Sequence, residues 1–435
     1  MDSDFWTKQP KKNPRLKYMK IGDILNLSQY GISVSMNEDN KGYPIYRMNE
    51  IHNMLCDLSV DKYADISKDE FQKFELKDRD VIFNRTNSFE WVGRTGVYYQ
   101  NDDTRKTFAS YLVRFNPDEN VVLPEYLATF LSSKHGVWDV KRRARQSINQ
   151  TNVNPEEVKE IEVPLLPMDF QKEIRNRFEK ANKNRILSQQ IYHQAEDLLL
   201  ETIGLKDFKP TEKGTNIKGF KESFLETGRL DAEYYQPKYE EMFSHLETFK
   251  TERLNNIVSI KKSIEPGSDA YETDGIPFIR VSNLSKFGLS DTDIYLDKSK
   301  FGNLGLQPKK DTILLSKDGS VGIAYKIDRD LDVITSGALL HLTITNKDFL
   351  PDYATLVLNS EVVKMQAERD AGGSIIQHWK PSEIEQVIIP KVPMKTQHRI
   401  STLIQESFAL RQESERLLAE AKDMVEREIE GGDNS

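Results

Sequence analysis

The chain has 435 residues, enough for two or three cores rather than one. Its 61 basic residues against 69 acidic ones leave a formal charge of −8, which argues against indiscriminate coating of nucleic acid but leaves room for a local basic groove. No apolar run approaches the ~18 residues of a membrane span, the opening MDSDFWTKQPKKNP lacks a signal peptide's apolar core, and the lone Cys56 cannot form an internal disulfide, so a cytoplasmic location is expected.

Taken in order, the chain says nearly the same thing twice. The first half runs LKYMKIGDILNLSQYG, YPIYRMNEI, DVIFNRTNSFEWVGRTGVY and FASYLVRF, then LPEYLATFLSS and ARQSINQTNVNPEEVKEIEVPLLP. The second runs TERLNNIVSIKKSI, IPFIRVSNL, DTILLSKDGSVGIAYKI and SGALLHLTI, then LPDYATLVLNS and AGGSIIQHWKPSEIEQVIIPKVP. Short runs of Val, Ile, Tyr and Phe broken by Gly, Asn and Asp predict strands and turns. The two Leu-Pro segments predict helices, since proline is tolerated in a first helical turn. IEVPLLP and VIIPKVP end on prolines, which suit an edge strand or a rigid exit from a domain. The expected fold class is therefore α+β, with domains at 1–167 and 246–393.

A long helix is expected after each domain, at 168–205 and 394–430. In the second, Ile400, Leu403, Ser407, Leu410, Ser414, Leu417, Ala421, Met424 and Glu428 step by alternating threes and fours, the seam of a coiled coil. In the first, Ile174, Ala181, Ser188, Ile191, Ala195 and Leu198 fall in the same phase, with Arg177, Asn184 and Thr202 as polar steps. The two similar stripes predict mutual burial in one coiled coil. Residues 206–245 read as a connecting segment, polar at first and then too aromatic in GRLDAEYYQPKY for a plain linker. Residues 431–435 read as a disordered tail.

Catalytic signatures are missing. There is no GxGxxG, no GxxxxGK[ST], no N/D-P-P-Y/F signature of amino-methylating enzymes, no HExxH and no paired Cys/His spacing. His52, His193 and His378 read as surface or partly buried residues, and Asp69 with Glu75 and Lys77 only loosely matches a nuclease carboxylate cluster. Polar loops suited to DNA remain. Arg85, Thr86, Asn87 and Ser88 follow one strand, and Ser316, Lys317 and Ser320 follow its counterpart. Arg142, Arg143 and Arg145 precede Gln146, Asn149 and Gln150, while Arg369 precedes Ser374, Gln377 and Lys380. Arg and Lys can take phosphates or guanine edges, and Asn and Gln can take adenine edges. Phosphate contacts are expected from Arg142, Arg143, Arg145 and Lys317, and base or groove contacts from Arg85, Asn87, Gln150 and Gln377.

Together RTNSFEWVGRTGVY, INQTNVNPEEVKEIEVPLLPMDFQKEI, their degenerate second copies and GRLDAEYYQPKY resemble the specificity subunit of type I restriction-modification systems, over essentially the whole chain. The resemblance implies a non-catalytic DNA reader. Two target recognition domains would be held apart by antiparallel helices, so that each reads half of a split, asymmetric target. It implies no cofactor on this chain. Two copies of a modification subunit would bring S-adenosylmethionine and the adenine-methylating site, and restriction subunits would bring ATP and Mg. In the second half Ser316-Lys317-Asp318-Gly319 is aligned with Arg85-Thr86-Asn87-Ser88, and Ile376-Gln377-His378-Trp379 with Asn149-Gln150-Thr151-Asn152. A helix from Ile174 to Thr202 rises roughly 42 Å, comparable to the roughly 34 Å of one DNA turn, so the pair is expected to act as a ruler. The rival readings are an enzyme whose motif has drifted and a protein-binding scaffold.

Overall fold

The computed structural model describes residues 12–148, 150–371 and 377–431. It divides into two units, one of Met1–Ser188 with Ala409–Ser435 and one of Gln189–Phe408. The division falls inside both long helices, Met168–Thr202 and Met394–Glu430, and not at the prolines that precede them. The reason is packing. Each half-helix buries its stripe in the core of the unit it belongs to.

The two units repeat one plan. In the first, Leu25–Tyr30, Leu112–Pro117, Val81–Asn84 and Thr95–Val97 are consecutive neighbours in a sheet that continues to Leu55–Cys56 and Ile51–His52. In the second, Val258–Lys262, Leu339–Ile344, Ile313–Ser316 and Ala324–Lys326 take the same order. A smaller sheet accompanies each, with Tyr43–Tyr46 parallel to Thr107–Phe108 and Ile276–Ile279 parallel to Ile334–Thr335. The central strands read as continuous apolar runs because both of their faces are covered. Val81 and Phe83 enter one core and Ile82 another; Ile313 and Leu315 likewise part from Leu314. Glu162–Pro164 and Ile388–Pro390 form ribbons with the strands that open each domain, Tyr18–Lys20 and Thr251–Arg253.

Helices Pro124–Ser132 and Pro351–Leu358 start at the Leu-Pro pairs, and neither has a capping side chain of its own. A glutamine of the following long helix supplies the missing acceptor. Gln171 Oε1 accepts from the Leu123 amide at 2.8 Å, and Gln397 Oε1 from the Leu350 amide at 2.9 Å. Each glutamine also donates to two backbone carbonyls, Val121 and Leu166 in one unit, Asp348 and Val392 in the other. Both are 1% exposed, so each is a buried polar tie between domain and helix. Tyr126 and Tyr353 add a second tie, donating to the carbonyls of Pro164 and Pro390.

The long helices run antiparallel. In the first unit Ile174, Phe178 and Ala181 share a core with Leu417, Leu418, Ala421, Val425 and Ile429; in the second, Tyr192, Ala195 and Leu199 share one with Ile400 and Ile404. Half of the expected seam needs correction. Ile174, Ala181, Ile400, Ser407, Ser414 and Ala421 are buried as expected. The intervening positions sit one residue later, at Phe178, Leu199, Ile404, Leu418 and Val425, whereas Leu198, Leu403, Leu410 and Met424 are half-buried flanks and Glu428 is exposed. Arg177, taken as a polar seam step, pairs with Glu173 on the helix surface. Ile191 and Leu417 are buried beside the true seam residues Tyr192 and Leu418. The stripe is two residues wide at these levels because each helix packs on a domain as well as on its partner. At Ser414 the small side chain lets its hydroxyl donate across to the Ala181 carbonyl at 2.8 Å.

The segment after the first helix is not all linker. Pro237–Leu246 is a helix that buries Tyr239, Met242 and Leu246 in the second unit's core. The Tyr234 ring lies between Arg229 and Arg369, whose guanidinium carbons are 4.5 and 4.9 Å from its centroid. Gly431 is the last described residue of the expected tail; residues 432–435 lie outside the described residues. No described helix is long and apolar enough to cross a membrane.

Candidate nucleic-acid interface

In the first unit the chain leaves strand Val81–Asn84 and forms Thr86–Asn87, which pairs with Thr151–Asn152; that strand in turn pairs with Arg145–Gln146. Two polar stretches far apart in sequence thus become one three-stranded ribbon. The second unit has the counterpart as a single bridge, Asp318 to His378. Backbone bonds establish the equivalence: Arg85 donates to Tyr111 and accepts from Val153, as Lys317 donates to Ala338 and accepts from Trp379. Both expected alignments are therefore one residue out. Ser316 corresponds to Asn84, Lys317 to Arg85, and His378 to Asn152. Side chains lock the same two positions in both units. The Thr86 hydroxyl donates to Asn152 Oδ1 at 2.7 Å, and His378 Nδ1 lies 2.9 Å from Asp318 Oδ1.

Several expected contact residues turn out to build this platform. Thr86 is buried behind its bond to Asn152. Ser316 is wholly buried, its hydroxyl donating to the Ser320 carbonyl at 2.6 Å and accepting from the Ile323 amide. Arg143 is buried and Arg142 nearly so, both paired with Asp139 at the end of helix Lys134–Lys141. Burial lowers the Arg143 pKa, Asp139 notwithstanding. Arg369 stacks on Phe243 at 4.1 Å and pairs with Asp370. These arginines hold structure together, which side-chain type alone does not reveal.

Others stand at the surface. Ser88, Arg145, Gln146 and Gln150 are exposed in the first unit, with Asn87 half-exposed; Arg145 pairs with Glu157. Ser147 closes the turn, its hydroxyl donating to the Gln150 carbonyl at 2.8 Å. Arg85 is half-buried with its guanidinium 5.2 Å from the Tyr30 ring centroid. In the second unit Ser320, Gln377 and Lys380 are exposed, Lys380 being paired with Glu383 at 3.1 Å. Lys317 pairs with Asp318. Partial burial works against the Asp318 carboxylate, but hydrogen bonds from Lys317 and His378 outweigh it and hold its pKa below the ordinary value. Asn149 and Ser374, both expected contacts, lie outside the described residues.

Sequence reasoning passed over the exposed aromatics beside this ribbon, Tyr30, Phe89, Trp91 and Tyr111. The available signal was Phe-Glu-Trp in a stretch ending in glycine, where a loop, not a strand, is the natural reading. Gly93 closes that loop at φ +89°, and a Cβ there would come 2.7 Å from Val140 Cγ1. Of the other groups considered, Glu75 pairs with Lys77 and Arg105, which hold its carboxyl at about 2, the Arg105 hydrogen bond contributing most. No group of three metal-ligating side chains occurs among the described residues.

A duplicated α+β domain that offers the same two loops twice, differently furnished each time, defines a tandem recognition protein. Comparison with known proteins makes the class specific. Residues 15–197 and 246–420 both match the type I restriction modification DNA specificity domain, and the chain belongs to that family. Its role is sequence-specific DNA recognition, and the catalytic activities of such systems lie in other subunits. The chain is 25% identical over 394 residues to the putative type I restriction enzyme MjaX specificity subunit of Methanocaldococcus jannaschii, covering 88% of this chain and 84% of that one. It is 26% identical over 176 residues to the type I restriction enzyme EcoKI specificity subunit of Escherichia coli, covering 40% and 38%. A crystal structure of a type I restriction-modification S subunit from M. genitalium aligns over 96% of this chain and 97% of its own, at 13% identity and a TM-score of 0.41.

Proposed function

We propose that the two units read the two halves of a split, asymmetric DNA target, and that the chain carries this reading to two copies of a methyltransferase subunit. The observation that carries the proposal is the repeated platform with unlike furnishings: Arg85, Thr86 and Asn152 in one unit, Lys317, Asp318 and His378 in the other. One backbone solution with two sets of side chains suits two different half-sites. Arg145 and Lys380 would take phosphates, and Arg85, Asn87, Gln150 and Gln377 would face bases or a groove.

The long helices would set the distance between half-sites and offer docking surface. S-adenosylmethionine would bind on the methyltransferase partner, and ATP with Mg on any restriction subunit. An adenine to be methylated would be flipped into the partner's pocket, because it cannot be modified within the stack. A cytoplasmic location follows from such a task.

Selection from random DNA, with the chain alone and with the methyltransferase encoded beside it, followed by mapping of methylated adenines, tests this. The expected result is a split motif with a constant gap, methylated only in the mixture. No enriched motif in either arm would overturn the proposal.

A further inference from the structure

The first unit carries an aromatic cluster that its own packing does not use. Phe89 and Trp91 are 46% and 38% exposed on one short loop, where such rings would ordinarily be buried. Their positions are not loose. Val92 is buried and anchors the loop in the core, while the Gly93 amide donates to the Asn84 carbonyl at 2.8 Å. The Lys141 ammonium donates to the carbonyls of Phe89 and Glu90. Each ring also has a cation over one face, Arg94 at 3.4 Å from the Trp91 centroid and Lys141 at 4.8 Å from that of Phe89. Burial lowers the Lys141 pKa to about 8, which leaves it mostly charged at neutral pH. Glu90 is the one carboxylate between Ser88 and Arg94.

Two exposed rings on one anchored loop, each backed by a cation, suit a flat apolar base next to a phosphate. The corresponding loop of the second unit, Gly319-Ser320-Val321, is shorter and has no ring to offer. We propose that the Phe89–Trp91 tip is a wedge that enters a base step at the half-site read by the first unit, bending the duplex there, while the second unit reads its half-site without a wedge. Apolar wedges unstack a step and kink DNA in this way. The inference rests on the DNA-reading function proposed above.

The test uses the full chain with its methyltransferase partner and a duplex bearing the target found by methylation mapping, dyed at both ends. Energy transfer reports the bend, and titration reports affinity. Wild type is expected to bend the duplex. Phe89→Ala/Trp91→Ala is expected to lose most of that bend and bind roughly tenfold more weakly, while Phe89→Tyr/Trp91→Phe keeps both. A wild-type complex on straight DNA, or a double-alanine variant that bends like wild type, would overturn the wedge and leave the recognition function standing. Absence of specific binding by wild type would instead overturn the recognition function.

Discussion

At the scale of single residues, Gln171 and Gln397 are buried polar side chains that tie each domain to its long helix. Gln171 satisfies one backbone amide and two carbonyls inside the first unit. Replacing it with Leu would leave all three groups without partners, so Gln171→Leu is expected to cost about 3 kcal/mol. Urea unfolding checks this; a loss below about 1 kcal/mol would mean that the tie is dispensable. His341 is a different case. Burial, and secondarily Lys261, push its pKa from 6.5 down to about 4, while the Thr335 hydroxyl lies 2.8 Å from its Nε2. Between those values the unfolded chain binds a proton that the folded chain refuses. Stability is therefore present above about pH 6.5 and is lost as pH falls toward 4, by up to about 1.4 kcal/mol per unit. Unfolding midpoints at pH 7 and pH 5 measure the effect, and His341→Gln should flatten it.

At the scale of elements, the long helices show why a period is easier to read than a phase. The seven-residue repeat was visible in Ile400, Ser407, Ser414 and Ala421. The intervening layer was not, because Leu403 and Ile404, or Leu417 and Leu418, are adjacent apolar residues that both find cover. Only the facing domain decides between them. The small layer at Ser414 predicts its own mutant pair. Ser414→Ala removes one hydrogen bond to Ala181 and should cost at most about 1 kcal/mol. Ser414→Leu pushes the helices apart and should cost about 1–3 kcal/mol. Equal losses for the two variants would refute close packing at this layer. The recognition loops show the same limit in another form. Their polar residues were legible, but the alignment between halves slipped by one, because loop lengths differ and only the backbone bonds of Arg85 and Lys317 restore the register.

At the scale of the whole molecule, the proposed ruler gives a prediction with a number. Adding one heptad to each long helix, at matched levels, keeps the seam in phase and lengthens the pair by roughly 10 Å. The gap between half-sites should grow by roughly three base pairs while both half-site sequences persist. Methylation mapping of the lengthened variant reads both quantities, and an unchanged gap would refute the ruler.

The sequence by itself determined the duplication, the α+β class implied by two matching series of apolar runs, the paired long helices and the family they belong to. These are properties of period and repetition, which survive in one dimension. Which side chains face outward was decided only in three dimensions. Arg142, Arg143 and Arg369 carry the chemistry of phosphate binding yet are paired or stacked internally, and Thr86 and Ser316 are closed behind their own hydrogen bonds. Phe89 and Trp91 carry the chemistry of a core yet stand exposed, because a short loop anchored by Val92 and closed by Gly93 holds them outside it.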